Sequence, residues 1–357
     1  MRRWPPRRTA CTEPTAKQAK GLPGAALPFS AIAALHLPGV IAYTGIFVSY
    51  GPANTMKNQK KAYLFGLGAV ACWSTVATAF KLSLGYFSPA QLLLVATATS
   101  LVLLLGLLAV QGKLRYLGRY LRDRPGYYLL LGLLNPALYY LILFQAYDRL
   151  PAQQAQTLNY TWAITLTLLA VPFLGQKIRG QDWVAIVLGY LGAMVIATRG
   201  DLLGLNFEDP LGVALALVST VIWAGYWILN TRNQGDPLVA LTLSFLLALP
   251  FILLATALWS DFALTAWQGW VGAVYVGLFE MGFAFVMWLL AMKHAENTAR
   301  ISNLIFISPF ASLLLLRFLV GEAIYPATIA GLVMIVAALL IQQLRLGPRF
   351  AKARGAE

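Results

Sequence analysis

One carboxylate lies deep inside an apolar run. Glu280 sits within VGLFEMGFAFVMW, residues 276–288. A charge near the middle of a bilayer costs about 2.5–3.5 kcal/mol on insertion scales, so such a residue is expected to face a polar interior. It could bind a substrate ammonium group or carry a proton. It could equally be a protonated acid hydrogen-bonded between helices. Asn135 precedes Pro136, and a proline frees a backbone carbonyl one turn earlier and can kink a helix. Asn135 then either lines a cavity or satisfies the broken turn. Asn159, Tyr160 and Trp162 fall within one helical turn, and Tyr139 and Tyr140 lie in the run before it. Rings that stack, with an O–H or N–H to orient, suit an amphipathic organic ligand. Tyr and Trp also belt membrane interfaces. Trp73, Trp223, Asn303 and Phe306 complete the candidate binding set. His36 and His294 are the only histidines, and Cys11 and Cys72 the only cysteines. Neither a metal cluster nor a disulfide framework is expected from them, and no cofactor. GxxxxGK[ST] and HExxH are both missing, which argues against an ATP-driven pump or a zinc protease.

Composition sets the scaffold that must hold these residues. Of 357 residues, 59% are hydrophobic and 11% charged. A soluble domain carries about 25% charged residues. The deficit, with charge confined to clusters between long apolar runs, implies an all-α polytopic membrane protein. About ten spans are expected, at 63–80, 90–110, 127–147, 153–173, 183–199, 211–230, 238–258, 268–290, 299–319 and 326–345. Residues 1–55 are Arg- and Pro-rich and read as a disordered or mis-assigned extension, with the start at Met56. Residues 346–357 read as a basic tail. The net charge of +14 falls in loops, where it sets orientation rather than marking a nucleic-acid site.

An internal duplication organises the spans. Leu158–Gln176 (LNYTWAITLTLLAVPFLGQ) aligns without a gap on Leu304–Glu322 (LIFISPFASLLLLRFLVGE). Tyr160 falls on Phe306, Gly175 on Gly321, and Gln176 on Glu322. Ser88-Pro89 and Asp236-Pro237 both read as an N-cap followed by proline at the first helical position. Trp73 matches Trp223, and Asn135 falls opposite Glu280 within one residue. The repeats are expected over 56–200 and 201–345. Five spans per half make the second half start on the opposite side, so the halves are expected to be inverted. One set of loops holds 17 Lys and Arg and the other only Lys81, Arg149, Arg199 and Arg317, which puts both termini in the cytoplasm.

The pattern resembles the EamA-type drug/metabolite transporters. The residues that carry the resemblance are Trp73-Ser74, Ser88-Pro89, Phe173-Leu174-Gly175-Gln176, and Pro309 through Gly321-Glu322. Asn159-Tyr160-Thr161-Trp162, followed by Leu174-Gly175-Gln176-Lys177, is similar to the aromatic amino acid exporters within that family. The resemblance runs from Met56 to about Arg345. Ala163 stands where the family often has proline, Thr97 near where many members place arginine, and Gln176 for the usual glutamate. The resemblance implies a substrate cavity between the halves, lined by spans one, three, four, six, eight and nine.

The expected function is therefore a carrier and not an enzyme. It moves a small organic metabolite across a bacterial-type inner membrane by alternating access. Export of an amino acid or similar amphiphile is the first reading. Its partners are the small-molecule substrate, the lipid bilayer and, through Glu280, protons; no nucleic acid is expected. A lipid-linked sugar or lipid flippase of the same fold is the alternative. An intramembrane lipid-modifying enzyme would need a catalytic partner for Glu280, and none is evident.

Overall fold

A computed structural model describes residues 58–343, except 176, 177, 179, 205, 206, 208, 231, 234, 297–299 and 302. The N-terminal extension, the start at Met56, the 346–357 tail, Gln176 and Lys177 lie outside the described residues. Among the described residues the secondary structure is all helical. A bilayer offers no water to unpaired backbone groups, and a helix satisfies its own.

Nine helical stretches among the described residues are long and apolar enough to cross a membrane. They are α1 (Gln59–Leu84), α2 (Pro89–Val110), α3 (Pro125–Arg149), α4 (Ala152–Leu174), α5 (Gly180–Ala197), α6 (Pro210–Asn230), α7 (Pro237–Trp259), α8 (Trp267–His294) and α9 (Asn303–Val320). The tenth expected run forms a shorter apolar helix, α10 (Pro326–Gln342). Val102, Leu258 and Phe318 are among the large apolar side chains left exposed on the outward faces.

Local chemistry fixes several helix ends. Ser88 accepts from the Gln91 amide while the Gln91 side chain accepts from the Ser88 amide, closing a capping box ahead of Pro89. Asp236 caps α7 by accepting from the Leu238 and Val239 amides. Helices α4 and α9 both stop at a left-handed glycine, Gly175 (φ 65°) and Gly321 (φ 76°). A side chain is strained there, which is why glycine ends both.

Hydrogen bonds between helix ends sort those ends onto two faces. On one, Asn58 N–H donates to the His294 carbonyl (2.9 Å), Lys113 pairs with Asp236 (2.6 Å), and the Tyr127 hydroxyl donates to the Leu229 carbonyl (3.1 Å). The short polar helix Arg115–Asp123 joins it through Tyr120, whose hydroxyl accepts from the Asp236 amide. We call this the Lys113 face. On the other, Lys81 donates to the Tyr147 and Leu150 carbonyls (3.1 Å each), Gln91 donates to Asp261 (2.8 Å), and Arg149 pairs with Asp209 (3.1 Å). Gln153 bonds there to the 322–325 turn, which gives the Glu322 face.

The packing interleaves the two halves. Helix α1 lies against α8 and α9, and α6 lies against α3 and α4. Helix α2 packs on α7 and α8, α7 on α2 and α3, and α5 on α10. Exchanging each helix with the one five places along leaves these pairs unchanged. The first helix of each half is thus inserted between helices of the other half, and the space between them is where both halves meet.

Candidate functional site

That space is a cavity of about 140 Å³. Breaks in the helices shape it. Helix α3 loses regular geometry over Leu133–Leu138, where Asn135 is extended (φ −144°, ψ 118°) and Pro136 withholds an N–H. Helix α8 widens into π-type turns over Val276–Ala284, which carry Glu280; such bulges are frequent at functional sites. Helix α4 turns at Tyr160 and Thr161 before resuming at Trp162.

Glu280 is buried at the cavity wall. The Tyr140 hydroxyl, itself fully buried, donates to Glu280 Oε1 at 2.9 Å. Glu280 Oε2 is buried with no hydrogen-bond partner among the described residues. Asn159 accepts from Tyr139 Oη (3.2 Å) and donates to Ser219 Oγ (2.9 Å), which joins α3, α4 and α6. Tyr160 bonds Ser308 Oγ at 2.8 Å and so joins α4 to α9. Aromatic rings make the rest of the wall. Tyr139 stacks on Trp223 (4.4 Å), Trp223 meets Trp162 and Phe285 edge-on (6.4 and 5.9 Å), and Trp73 packs on Phe285 and Trp288 (6.3 and 5.3 Å).

A vestibule of about 560 Å³ adjoins this cavity through the shared residues Tyr160, Trp162, Trp227, Trp288 and Ile305. Phe306 lines the vestibule, which reaches Leu174, Met292 and Gln342 at the Lys113-face ends of α4, α8 and α10. The opposite end is latched. Gln153 donates from its backbone to Glu322 (3.3 Å) and from its side chain to the Ala323 carbonyl, and it accepts from the Tyr325 amide (2.9 Å). The Arg199 guanidinium lies 4.5 Å from the Tyr325 ring centroid. Burial pushes the Glu322 carboxyl above its ordinary range, against the opposing pull of the Gln153 N–H and the Lys81 charge.

Seven of the candidate residues meet at the cavity: Glu280, Asn159, Tyr160, Trp73, Trp223, Tyr139 and Trp162. Phe306 lies in the vestibule. Asn135 and Asn303 line neither space. Asn135 is fully buried beside Tyr226, in the irregular Leu133–Leu138 stretch that packs against α6 and α7. Asn303 is exposed at the opening turn of α9. The sequence reading missed Gln156, Ser308, Trp227 and Trp288, all of which line the cavity. For Gln156 a signal existed: three glutamines, Gln153, Gln154 and Gln156, crowd the first turns of an apolar span.

Comparison with known proteins gives this arrangement a family. A model of the EamA-like transporter family matches residues 60–198 and again residues 210–342. An aromatic amino acid exporter, YddG of Ancylobacter novellus, is 26% identical over 265 residues, covering 72% of this chain and 88% of that protein. Protein PecM of Dickeya dadantii is 27% identical, covering 60% and 72%, and the uncharacterized transporter YvbV of Bacillus subtilis is 23% identical, covering 64% and 75%. A solved crystal structure shares the fold at a TM-score of 0.58 and 22% identity, covering 81% of this chain and 100% of that one. The chain belongs to the EamA-like transporter family and is a multi-pass membrane transporter.

Proposed function

We propose that this family member is a secondary carrier that exports a small amphipathic metabolite, an amino acid or a compound of that size, by alternating access. The observation that carries the reading is a single buried carboxylate, Glu280, enclosed by aromatic rings from both halves at the inner end of a vestibule. Transporter sites of this kind lie near the bilayer midplane where two repeats meet, and one repeat rocks against the other.

The chain in this reading is ten membrane-crossing helices in two inverted halves. Two features support the inversion. Helix packing is unchanged on exchanging the halves. The end-to-end bonds also run α1 toward the Glu322 face at Lys81 and α6 toward the Lys113 face at Leu229. The excess of Lys and Arg on the Lys113 face supports a cytoplasmic assignment for that face and for both termini. The vestibule then opens inward and the Gln153–Glu322 latch closes the outside. Release to the outside requires the latch to part and the vestibule to close.

Counterflow in proteoliposomes, with a panel of labelled amino acids and related metabolites, tests this reading. At least one compound should exchange in protein-containing vesicles and not in empty ones. Exchange of none, with lipid turnover in its place, would replace the carrier with a flippase. Proton exchange at Glu280 is the coupling this site allows. Glu280→Gln should remove the pH dependence of flux, and an unchanged pH profile would end that idea.

A further inference from the structure

The charge balance of the cavity narrows what it can hold, and this step rests on the carrier reading above. Glu280 is the one charged side chain among the described residues lining the cavity and vestibule, and neither space is lined by Lys, Arg or His. Its Oε2 is buried and accepts nothing, and the Gln156 side-chain oxygen in the same wall is likewise buried without a donor. Trp227 Nε1 is the one buried unpaired donor on that wall, and it is neutral. Lys81, at the Glu322 end, is already held by the Tyr147 and Leu150 carbonyls.

Each of these facts favours the same charge on a ligand. A carboxylate with open lone pairs binds a cationic N–H donor best. The faces of Trp and Tyr attract cations and suit quaternary ammonium groups. A ligand carboxylate would enter beside Glu280 with no cation to meet it, and an unpaired buried charge is strongly disfavoured. We propose that the site selects organic monocations: an amine whose ammonium sits on Glu280 and Gln156 while its apolar part lies against the aromatic wall. The same skeleton carrying a carboxylate is discriminated against.

Three probes that share one skeleton test this: phenethylamine, phenylalanine and 3-phenylpropanoate. They are titrated against the purified full-length chain, with intrinsic tryptophan fluorescence as the readout. Phenethylamine should bind more tightly than phenylalanine by about tenfold or more, and 3-phenylpropanoate weakest. Glu280→Gln should erase that order and Glu280→Asp should keep it. The wild-type comparison decides the matter even where a variant fails to fold. Labelled trimethyl(phenethyl)ammonium, which cannot cross lipid as a neutral species, should exchange across proteoliposomes. Equal or tighter binding of phenylalanine, with exchange of it, would overturn the monocation assignment and leave the carrier reading intact. Binding of none of the three would overturn the assignment as well, while the metabolite counterflow above judges the carrier reading on its own.

Discussion

Asn135 and Glu280 stand at matching points in the third helix of their halves, and they do different work. Three residues before each is a glycine in the same role. A Cβ on Gly132 would run into the Ser244 carbonyl oxygen of α7, and a Cβ on Gly277 into the Ala96 carbonyl oxygen of α2. The two broken helices therefore dock by one device onto the second helix of the other half. Their polar residues diverge. Glu280 reaches the cavity, whereas Asn135 is shut into the packing between α3, α6 and α7. Duplication has kept the scaffold alike in both halves and concentrated the charge in one. The cavity thus has one carboxyl at its wall among the described residues, not two facing each other.

The strongest test of that division alters each polar residue in turn. A hydrogen bond to a charged group is worth about 1.5–3 kcal/mol, so Glu280→Gln should cut initial flux by about ten- to a hundredfold. The protein should still elute as a single species, since glutamine keeps the shape and can still accept from Tyr140. Asn135→Ala should leave flux within about threefold, because Asn135 lines no cavity and makes no hydrogen bond of regular geometry. Equal losses from both variants would mean that Asn135 reaches the substrate path, and the contrast between the halves would dissolve.

The glycines sharpen the symmetric side of the comparison. Gly132→Ala and Gly277→Ala each force a methyl group toward a backbone oxygen that no rotamer change can move. Overpacking of this kind costs about 1–3 kcal/mol. Both variants should therefore lower the melting temperature in detergent by similar amounts. A much larger drop for one would show that the two docking contacts are not equivalent.

Much of this was readable from residue order, and the reasons for the rest are physical. The nine membrane-length helices among the described residues were visible as apolar runs because lipid demands continuous hydrophobicity, and Ser88 and Asp236 were visible because caps act locally. Glu280 stood out because charge is rare in such runs. The direction a side chain faces was not. A helix with lipid on one side and protein on the other is apolar all round, so no polar stripe marks the inner face. Trp73 lines the cavity while Trp183 and Trp259 are exposed, and composition does not separate them. For the same reason the sequence left Asn135 open between lining a cavity and sitting in the broken turn, and the structure has it buried in that turn. Trp227 and Trp288 line the cavity as well, and composition does not mark them either.

The two faces give a second, smaller contrast. At the Glu322 face the latch contains a carboxyl whose affinity for a proton is raised by burial. Parting the latch hydrates Glu322 and returns it toward its ordinary range. The latched form therefore binds the proton more tightly and is favoured at low pH, and latching weakens as pH rises through the raised value. Hydrogen exchange at the Tyr325 amide, which donates to Gln153, should quicken with pH beyond its intrinsic dependence. Glu322→Gln should flatten that excess. An excess that persists in the variant would assign the effect to another group.

The smallest effect is expected where α2 and α7 are clamped at both ends. At one face Lys113 pairs with Asp236 at 2.6 Å, and at the other the Gln91 amide donates to Asp261 at 2.8 Å. The positions are equivalent, since each joins the end of one helix to the start of the other, but only the first is an ion pair. Partly exposed pairs contribute about 0–1 kcal/mol and are screened by salt. Lys113→Met should lower the melting temperature slightly in dilute buffer and not measurably at high salt, while the Asp236 cap on Leu238 and Val239 survives. Gln91→Met removes a bond from a neutral donor and should show a penalty that changes less with salt. It also takes away the capping box of α2, so its total cost should exceed that of the ion pair. If Lys113→Met proves the costlier of the two at every ionic strength, the charged clamp contributes more to stability than the capping box and the neutral bond together.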